Sequence, residues 1–164
     1  MKKDKLQGKK DYLSYRTKAL QQYEIAYHLL NVTFPLVKDP KLLVGVMQNI
    51  FNSLEGGVEA ILDYEKQLGL VPDYHFKMQS KLDLFKLKSA KRHNIPQPLI
   101  DVIFYLHNAL EMHKKSPMAF QRGNKFVVCT HDYQMQTISI DDIKDYLEKN
   151  RKFLSITDTI LRLK

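Results

Sequence analysis

Residues 12–30, YLSYRTKALQQYEIAYHLL, and residues 43–61, LVGVMQNIFNSLEGGVEAI, carry apolar side chains at matching positions on either side of a turn between Pro35 and Pro40. In both stretches these side chains recur every three or four residues, which is the spacing of one face of an α-helix. The matched pairs are Leu30 with Leu43, Ala26 with Met47, Tyr23 with Ile50, Ala19 with Leu54 and Tyr12 with Ile61. Because the two residue numbers of every pair have the same sum, the sequence predicts two antiparallel helices that share one apolar seam.

Arg16 breaks this pattern, because it occupies a seam position and has Gly57 opposite it. A buried guanidinium without a partner is very costly, so this side chain must reach water or meet an anion. Glu55 and Glu59 flank the glycine on the second helix. One interpretation is an ion pair of Arg16 with Glu59 or Glu55 that fixes the register of the helices. The other is a polar pocket formed by Arg16, Glu55, Gly57 and Glu59, in which a phosphate or another anion contacts the arginine.

The whole chain predicts a mainly α protein, an up-down bundle of four to five helices with a small β-hairpin before the last helix. We expect residues 1–9 to form a flexible basic tail and residues 10–164 to form a single helical-bundle domain. The expected elements are helices at about 10–33, Asp39–Leu68, 73–91, 96–115 and from Ser139 onwards, and strands at Lys125–Thr130 and Tyr133–Ile138. The fourth helix is apolar on most of its sides, so we expect it to be the most deeply buried.

The composition describes a basic chain of 164 residues with a formal net charge of +8 and a pI near 9.4. No run of about 18 apolar residues is present that could span a membrane. The basic start MKKDKLQGKK is not followed by an apolar segment, so we expect no secretory signal. Cys129 is the only cysteine, which excludes a disulfide within one chain and makes the reducing cytoplasm the expected location.

Two groups of basic residues form a candidate phosphate-contacting surface. The first lies on the polar side of the third helix, where it faces either a nucleic acid or the acidic row of the second helix, Glu55, Glu59 and Asp63. The second follows the end of the fourth helix, where the helix dipole by itself favours cations. The residues are Lys77, Lys81 and Lys88 in the first group and Lys114, Lys115, Arg122 and Lys125 in the second. Aromatic side chains are not interleaved with them, so we do not expect sequence-specific recognition of bases.

The sequence lacks the patterns that carry common enzyme and metal chemistry. A carboxylate metal site in a helical bundle needs a Glu-x-x-His element, whereas Glu24 and His28 are four residues apart and Glu111 and His113 are two apart. Gly-rich phosphate loops, nucleophile elbows and zinc patterns are also missing. We therefore expect no catalytic residue, no metal and no cofactor.

Two stretches, YRTKALQQYEIAYHLL at 15–30 and NSLEGGVEAIL at 52–62, combine small residues with paired leucines on amphipathic helices. They resemble the helical hairpin of the HEPN (higher eukaryotes and prokaryotes nucleotide-binding) bundle families, with Glu55 at a similar place in the second helix. The resemblance implies a bundle that dimerises, binds a nucleotide or RNA, or pairs with a nucleotidyltransferase. Members that cleave RNA carry an Arg followed four to six residues later by a His, a spacing that this chain does not have. The resemblance therefore does not imply nuclease activity.

These observations together predict a non-catalytic, cytoplasmic binding or interaction module. We expect a homodimer, with a nucleotide, RNA or a partner protein as the candidate ligand and no contact with a membrane. One alternative is a divergent HEPN-type RNA-processing enzyme that uses Arg16, His28 or His131 without the usual motif. The other is a ligand-free assembly subunit whose apolar helix faces meet a second chain.

Overall fold

The computed structural model describes residues 2–74, 77–115, 119–122, 125–129 and 135–163, and the side chains within 11–74, 77–115 and 137–163. The protein is mainly α, as the sequence predicts. Helix α1 comprises Lys2–His28, a π-helical turn Leu29–Thr33 and Phe34–Val37, and α2 spans Pro40–Gln67. Helix α3 comprises Met78–Leu84, a π-helical turn Phe85–Ser89 and Ala90–Arg92, α4 spans Gln97–Lys115 and α5 spans Ile140–Ile160. The strands are β1 (Ala119–Arg122), β2 (Lys125–Cys129) and β3 (Met135–Ser139).

The turn between α1 and α2 has the local signals that the sequence predicts. Lys38 ends α1 in the left-handed conformation with φ 56°, and the side chain of Asp39 accepts a hydrogen bond from the backbone N–H of Lys41 at 3.0 Å. Pro40 occupies the first turn of α2, where its missing N–H leaves no bond unmade. Helix α1 begins at Lys2, earlier than the expected start near residue 10, so it extends over most of the residues assigned to the basic tail.

The seam between α1 and α2 is confirmed. Its matched side chains are all buried except Tyr12 and Tyr23, which are half-buried. The polar layer of the seam, however, is not at Arg16. Ser53 of α2 donates a hydrogen bond to the carbonyl of Ala19 in α1 at 2.6 Å, and the amide of Asn150 in α5 donates to the Ser53 hydroxyl at 2.9 Å. This buried layer therefore connects three helices at one level.

Helix α2 forms the centre of the bundle, because it contacts α1, α3, α4 and α5. Of its 28 residues 14 are buried, against 7 of the 19 residues of α4. The expectation that the fourth helix is the most deeply buried is therefore wrong. Helix α4 has its apolar side against α2 and α5, and its other side is exposed at positions such as Asp101 and Asn108. In the described part of the chain, none of the helices combines the length and apolar character that a bilayer crossing needs.

The sheet contains the predicted hairpin and one further strand. Strands β2 and β3 pair antiparallel, with Lys125 opposite Ser139, and β1 pairs antiparallel with β2 on its other side. Strand β1 is missing from the sequence prediction, because its four residues are too few to show an alternating pattern. The last helix begins after Ser139, as the sequence predicts, and Ser139 and Asp142 form a capping box by exchanging two hydrogen bonds of 2.9 Å.

Candidate functional site

Arg16 pairs with Asp158 of α5 and not with a glutamate of α2. Its Nε donates to Oδ1 at 2.7 Å and its Nη2 donates to Oδ2 at 2.8 Å, which is the bidentate arrangement of a strong pair. The hydrogen bond to Asp158 raises the pKa of Arg16 above its ordinary value. The predicted pair with Glu59 or Glu55 is therefore wrong, because a residue 142 positions away supplies the carboxylate. The predicted anion pocket at Arg16 likewise loses its cation to this carboxylate.

Gly57 does not face Arg16 either. A Cβ placed on Gly57 would lie 2.6 Å from Cε1 of Phe153 in α5, whereas a Cβ placed on Gly56 would lie 3.0 Å from Cβ of Ala19 in α1. Each glycine therefore allows the close approach of a different helix. The sequence pattern identifies the correct pair of small residues but assigns the contact with α1 to the wrong one.

Glu55 and Glu59 share the ammonium of Lys81, which reaches them from α3. Lys81 Nζ lies 2.9 Å from Glu55 Oε1 and 2.7 Å from Glu59 Oε2, and its side chain is only 10% exposed. The hydroxyl of Tyr74 donates to Glu59 Oε1 at 3.4 Å. Burial by itself lowers the pKa of Lys81, but the hydrogen bonds to Glu59 and Glu55 outweigh it, so the pKa is raised. The lysine therefore stays charged between two carboxylates.

A polar pocket of about 390 Å³ lies beside this cluster, between α1, α2 and α3. Glu55 and Glu59 line it as predicted, but Arg16 and Gly57 do not. Its other lining residues are Tyr15, Lys18, Gln22, Asn52, Gly56 and Lys81. Two carboxylates against two ammonium groups leave no excess of positive charge. The pocket is therefore polar but is not arranged to attract an anion.

The candidate phosphate-contacting surface loses one of its central members. Lys81 is buried in the cluster described above, while Lys77 and Lys88 are exposed on α3. Lys114 is 3.3 Å from Glu111 on the surface of α4, and Lys115 is exposed. Arg122 and Lys125 are paired residues at the β1–β2 connection, and their side chains lie outside the described ones. The remaining exposed lysines lie on two different elements, Lys77 and Lys88 at the start and within α3, and Lys114 and Lys115 at the end of α4.

A second carboxylate cluster, which was not predicted from the sequence, lies nearer the end of α2. The side chain of Glu65 is 1% exposed, its Oε1 lies 2.9 Å from His93 Nε2, and its Oε2 forms an ion pair with Arg92. Nη2 of Arg92 also donates to the carbonyl of Leu70 at 3.1 Å. Burial, followed by the charge of Arg92, lowers the pKa of His93, so its imidazole is neutral at neutral pH. Since Glu65 accepts from Nε2, the Nδ1 atom of the ring is left as an acceptor.

A pocket of about 570 Å³, the end pocket, lies beside this second cluster where α2, α3 and α5 end and α4 begins. It is larger than the polar pocket beside Glu55. Its apolar lining consists of Tyr64, Leu68, Leu70, Ile95, Pro96, Ile156 and Ile160, and its polar lining of Glu65, His93, Asn94, Thr159 and Arg162. A mostly apolar concave surface with a few polar groups is typical of small-molecule sites.

The outer face of α1, defined by Ile25, Leu29, Val32 and Leu36, carries three of the exposed large apolar side chains of the described residues. Ile25 and Val32 are each 46% exposed and Leu36 is 81% exposed, while Leu29 is half-buried. A shallow groove of about 460 Å³ lies on this face and is lined by Gln21, Glu24, Ile25, His28 and Leu29. The π-helical turn of α1 lies within the same face.

The residues named for an RNA-processing enzyme are not brought together in the described structure. Arg16 and His28 are separated by twelve residues of α1, or about 18 Å along its axis, and Arg16 is engaged by Asp158. His131 lies outside the described residues. Among the residues that the structure describes, no three His, Cys, Asp or Glu side chains form a group that could hold a metal ion.

Comparison of the chain with protein-family models, curated proteins and solved structures finds no match.

Proposed function

We propose that this protein is a non-catalytic interaction module that assembles into a two-fold homodimer through the outer face of α1. The observation that carries this proposal is the row of exposed apolar side chains on that face. Scattered exposed leucines are normal on any protein, but a contiguous exposed row marks an interaction surface. Another side of α1 packs against α2, and Leu29 alone of the row also contacts the core, so Ile25, Val32 and Leu36 are left exposed to solvent.

The spacing of the row fits a second copy of the same helix. Its four members follow one another at intervals of four, three and four residues, which is symmetric about a point between Leu30 and Asn31. In an antiparallel pair centred on that point, Ile25 of each copy lies opposite Leu36 of the other. The protruding Leu36 side chain then enters the shallow groove beside Ile25. An interface of this kind uses the same patch twice, as a two-fold dimer requires.

The charges that flank the row are complementary in the same register. Glu24 and Lys38 are both exposed and form no ion pair within the described residues. The antiparallel register places Glu24 of one copy beside Lys38 of the other, at both ends of the contact. Opposite charges at these positions favour the antiparallel register over alternatives.

RNA binding and a cytoplasmic location stay predictions beside this proposal. The resemblance to HEPN bundles implies dimerisation and therefore agrees with it, while RNA binding has less support because Lys81 is engaged by Glu55 and Glu59. A cytoplasmic location stays a prediction that rests on the single cysteine.

The test is the oligomeric state of the full chain, measured by sedimentation equilibrium over a wide concentration range. The row spans about 16 Å of helix, which is short for the roughly 800 Å² per partner of a stable interface. We therefore expect a monomer–dimer equilibrium that depends on concentration. Leu36→Glu is expected to give a monomer at all concentrations, because it brings two carboxylates into the apolar contact.

The matched control is Leu87→Glu, which places the same charge on an exposed leucine of α3 and should leave the equilibrium unchanged. A second pair of variants tests the register. Glu24→Lys and Lys38→Asp should each weaken the dimer, and the double variant should restore it. Aspartate is chosen because it tolerates the left-handed backbone of Lys38. A wild-type chain that stays monomeric at every concentration, or a Leu36→Glu variant that dimerises like the wild type, contradicts the proposal.

A further inference from the structure

We infer that the end pocket binds a small amphipathic organic anion, a molecule with an apolar body and one anionic group. The inference is independent of the proposed dimer, because the pocket is lined by α2, α5 and the α3–α4 connection, and none of its lining residues belongs to α1. Its volume of about 570 Å³ lies within the usual range for small-molecule sites.

The apolar part of the pocket accounts for the body of such a ligand. Leu68 and Leu70 are 57% and 47% exposed at its edge, beyond the C-terminal end of α2. Across from them Ile156 and Ile160 of α5 are half-buried and face the same space. Exposed aliphatic side chains around a concavity can still lose water-accessible surface when an apolar molecule enters, at about 25 cal/mol for each Å².

The charges in the pocket account for the sign of the ligand. Glu65 is the only carboxylate among the lining residues, and it is already engaged by Arg92 and His93. Arg92 also donates to the Leu70 carbonyl, so its guanidinium is occupied as well. Arg162 is exposed, lines the pocket and has no ion pair among the described residues. The free charge of the pocket is therefore one guanidinium, which binds carboxylates and similar anions well.

The imidazole of His93 offers the ligand one polar contact and does not alter the preference for an anion. Its imidazole is neutral and its Nε2 is held by Glu65, so only Nδ1 is left to accept a hydrogen bond. An organic ammonium ion would find no free carboxylate in the lining. A ligand with an anionic head and an apolar tail thus satisfies the groups present, whereas a cationic ligand with the same tail does not.

The test is a calorimetric titration of the full chain with three probes of equal chain length: octanoate, octan-1-ol and octylammonium. We expect octanoate to bind most tightly, octanol more weakly, and octylammonium not measurably. Arg162→Met should weaken octanoate binding about tenfold, the loss that corresponds to one charged hydrogen bond at a partly open site, and should leave octanol binding unchanged. Leu68→Ser should weaken octanoate and octanol alike.

Two controls separate this site from the rest of the surface. Arg151→Met removes an arginine of α5 that is exposed, paired with Glu148 and outside the pocket, and should not change the binding of any probe. Leu36→Glu on the outer face of α1 should also leave octanoate binding unchanged. The inference is overturned if octanoate does not bind, if octylammonium binds as tightly, or if Arg162→Met has no effect on octanoate.

Discussion

The two carboxylate clusters of α2 differ in their ratio of acidic to basic side chains. In the first, Glu55 and Glu59 lie one turn apart and share the single ammonium of Lys81. In the second, Glu65 alone is bound by two basic neighbours from the end of α3. The first cluster is thus held together by its cation, whereas the second has a carboxylate at its centre and leaves a neutral imidazole beside a pocket. The comparison shows that the state of a buried glutamate on α2 depends on which basic side chains the facing part of α3 provides.

Removal of the shared cation is expected to have the largest effect. Lys81→Met leaves two adjacent carboxylates, one of them almost fully buried, without their partner. We expect a loss of about 3–5 kcal/mol in the free energy of unfolding, because an uncompensated buried charge is strongly destabilising. Urea denaturation at neutral pH measures this loss. Lys88→Met, at an exposed lysine of the same helix, should change stability by no more than about 0.5 kcal/mol. A loss below about 1 kcal/mol for Lys81→Met would show that the cluster does not stabilise the fold.

The second cluster predicts a smaller effect that depends on pH. Burial and the charge of Arg92 lower the pKa of His93, so the unfolded chain binds a proton at this residue more readily than the folded chain does. The free energy of unfolding should therefore fall as the pH drops below about 6.5, the ordinary pKa of histidine, and reach its full loss below the folded pKa.

Denaturation midpoints of the wild type and of His93→Gln at pH 7.5 and pH 5.5 check this expectation. The glutamine keeps a hydrogen-bond donor for Glu65 but cannot take up a proton. The variant should show a smaller decrease between the two pH values than the wild type. His28→Gln, at an exposed histidine of α1, serves as the control and should decrease as the wild type does. An identical decrease in the wild type and in His93→Gln would contradict the prediction.

The pair of Arg16 and Asp158 lies outside both clusters and should contribute least. Its side chains are 29% and 30% exposed, so water screens the attraction between them. Arg16→Met is expected to cost no more than about 1 kcal/mol. A double-mutant cycle with Asp158→Asn measures the coupling directly. A coupling energy well above 1 kcal/mol would contradict the prediction that this partly exposed ion pair contributes little to the free energy of unfolding.

The sequence predicted those parts of the fold whose signals are local. Asp39 with Pro40 and Ser139 with Asp142 determine helix starts through contacts within three residues, and both were placed correctly. The seam was also predicted, because its spacing is a property of two neighbouring helices. These features depend on residues close together in the chain or on a single short turn.

The site residues were predicted less well, because their partners come from distant segments. Glu55 and Glu59 could be recognised as an acidic row, and the lysines of α3 were expected to face either that row or a nucleic acid. The sequence did not reveal that Lys81 is the lysine buried between the two carboxylates. For Arg16 the sequence predicted contact with water or an anion, yet its partner Asp158 lies about five turns into α5, far along the chain. Glu65 gave no signal at all, since Arg92 and His93 follow a π-helical turn whose effect on direction the sequence does not reveal.

The buried layer of Ser53, Asn150 and the Ala19 carbonyl has a consequence for the order in which the chain folds. The contact between Ser53 and Ala19 closes a loop of 34 residues, whereas the contact between Asn150 and Ser53 closes one of 97. The entropic cost of closure rises with loop length, so we expect the first two helices to associate before α5 docks. Until α5 arrives, the Ser53 hydroxyl lacks its second partner and the space beside Gly57 is open to water. On this order, α5 completes the core by docking onto the hairpin of α1 and α2.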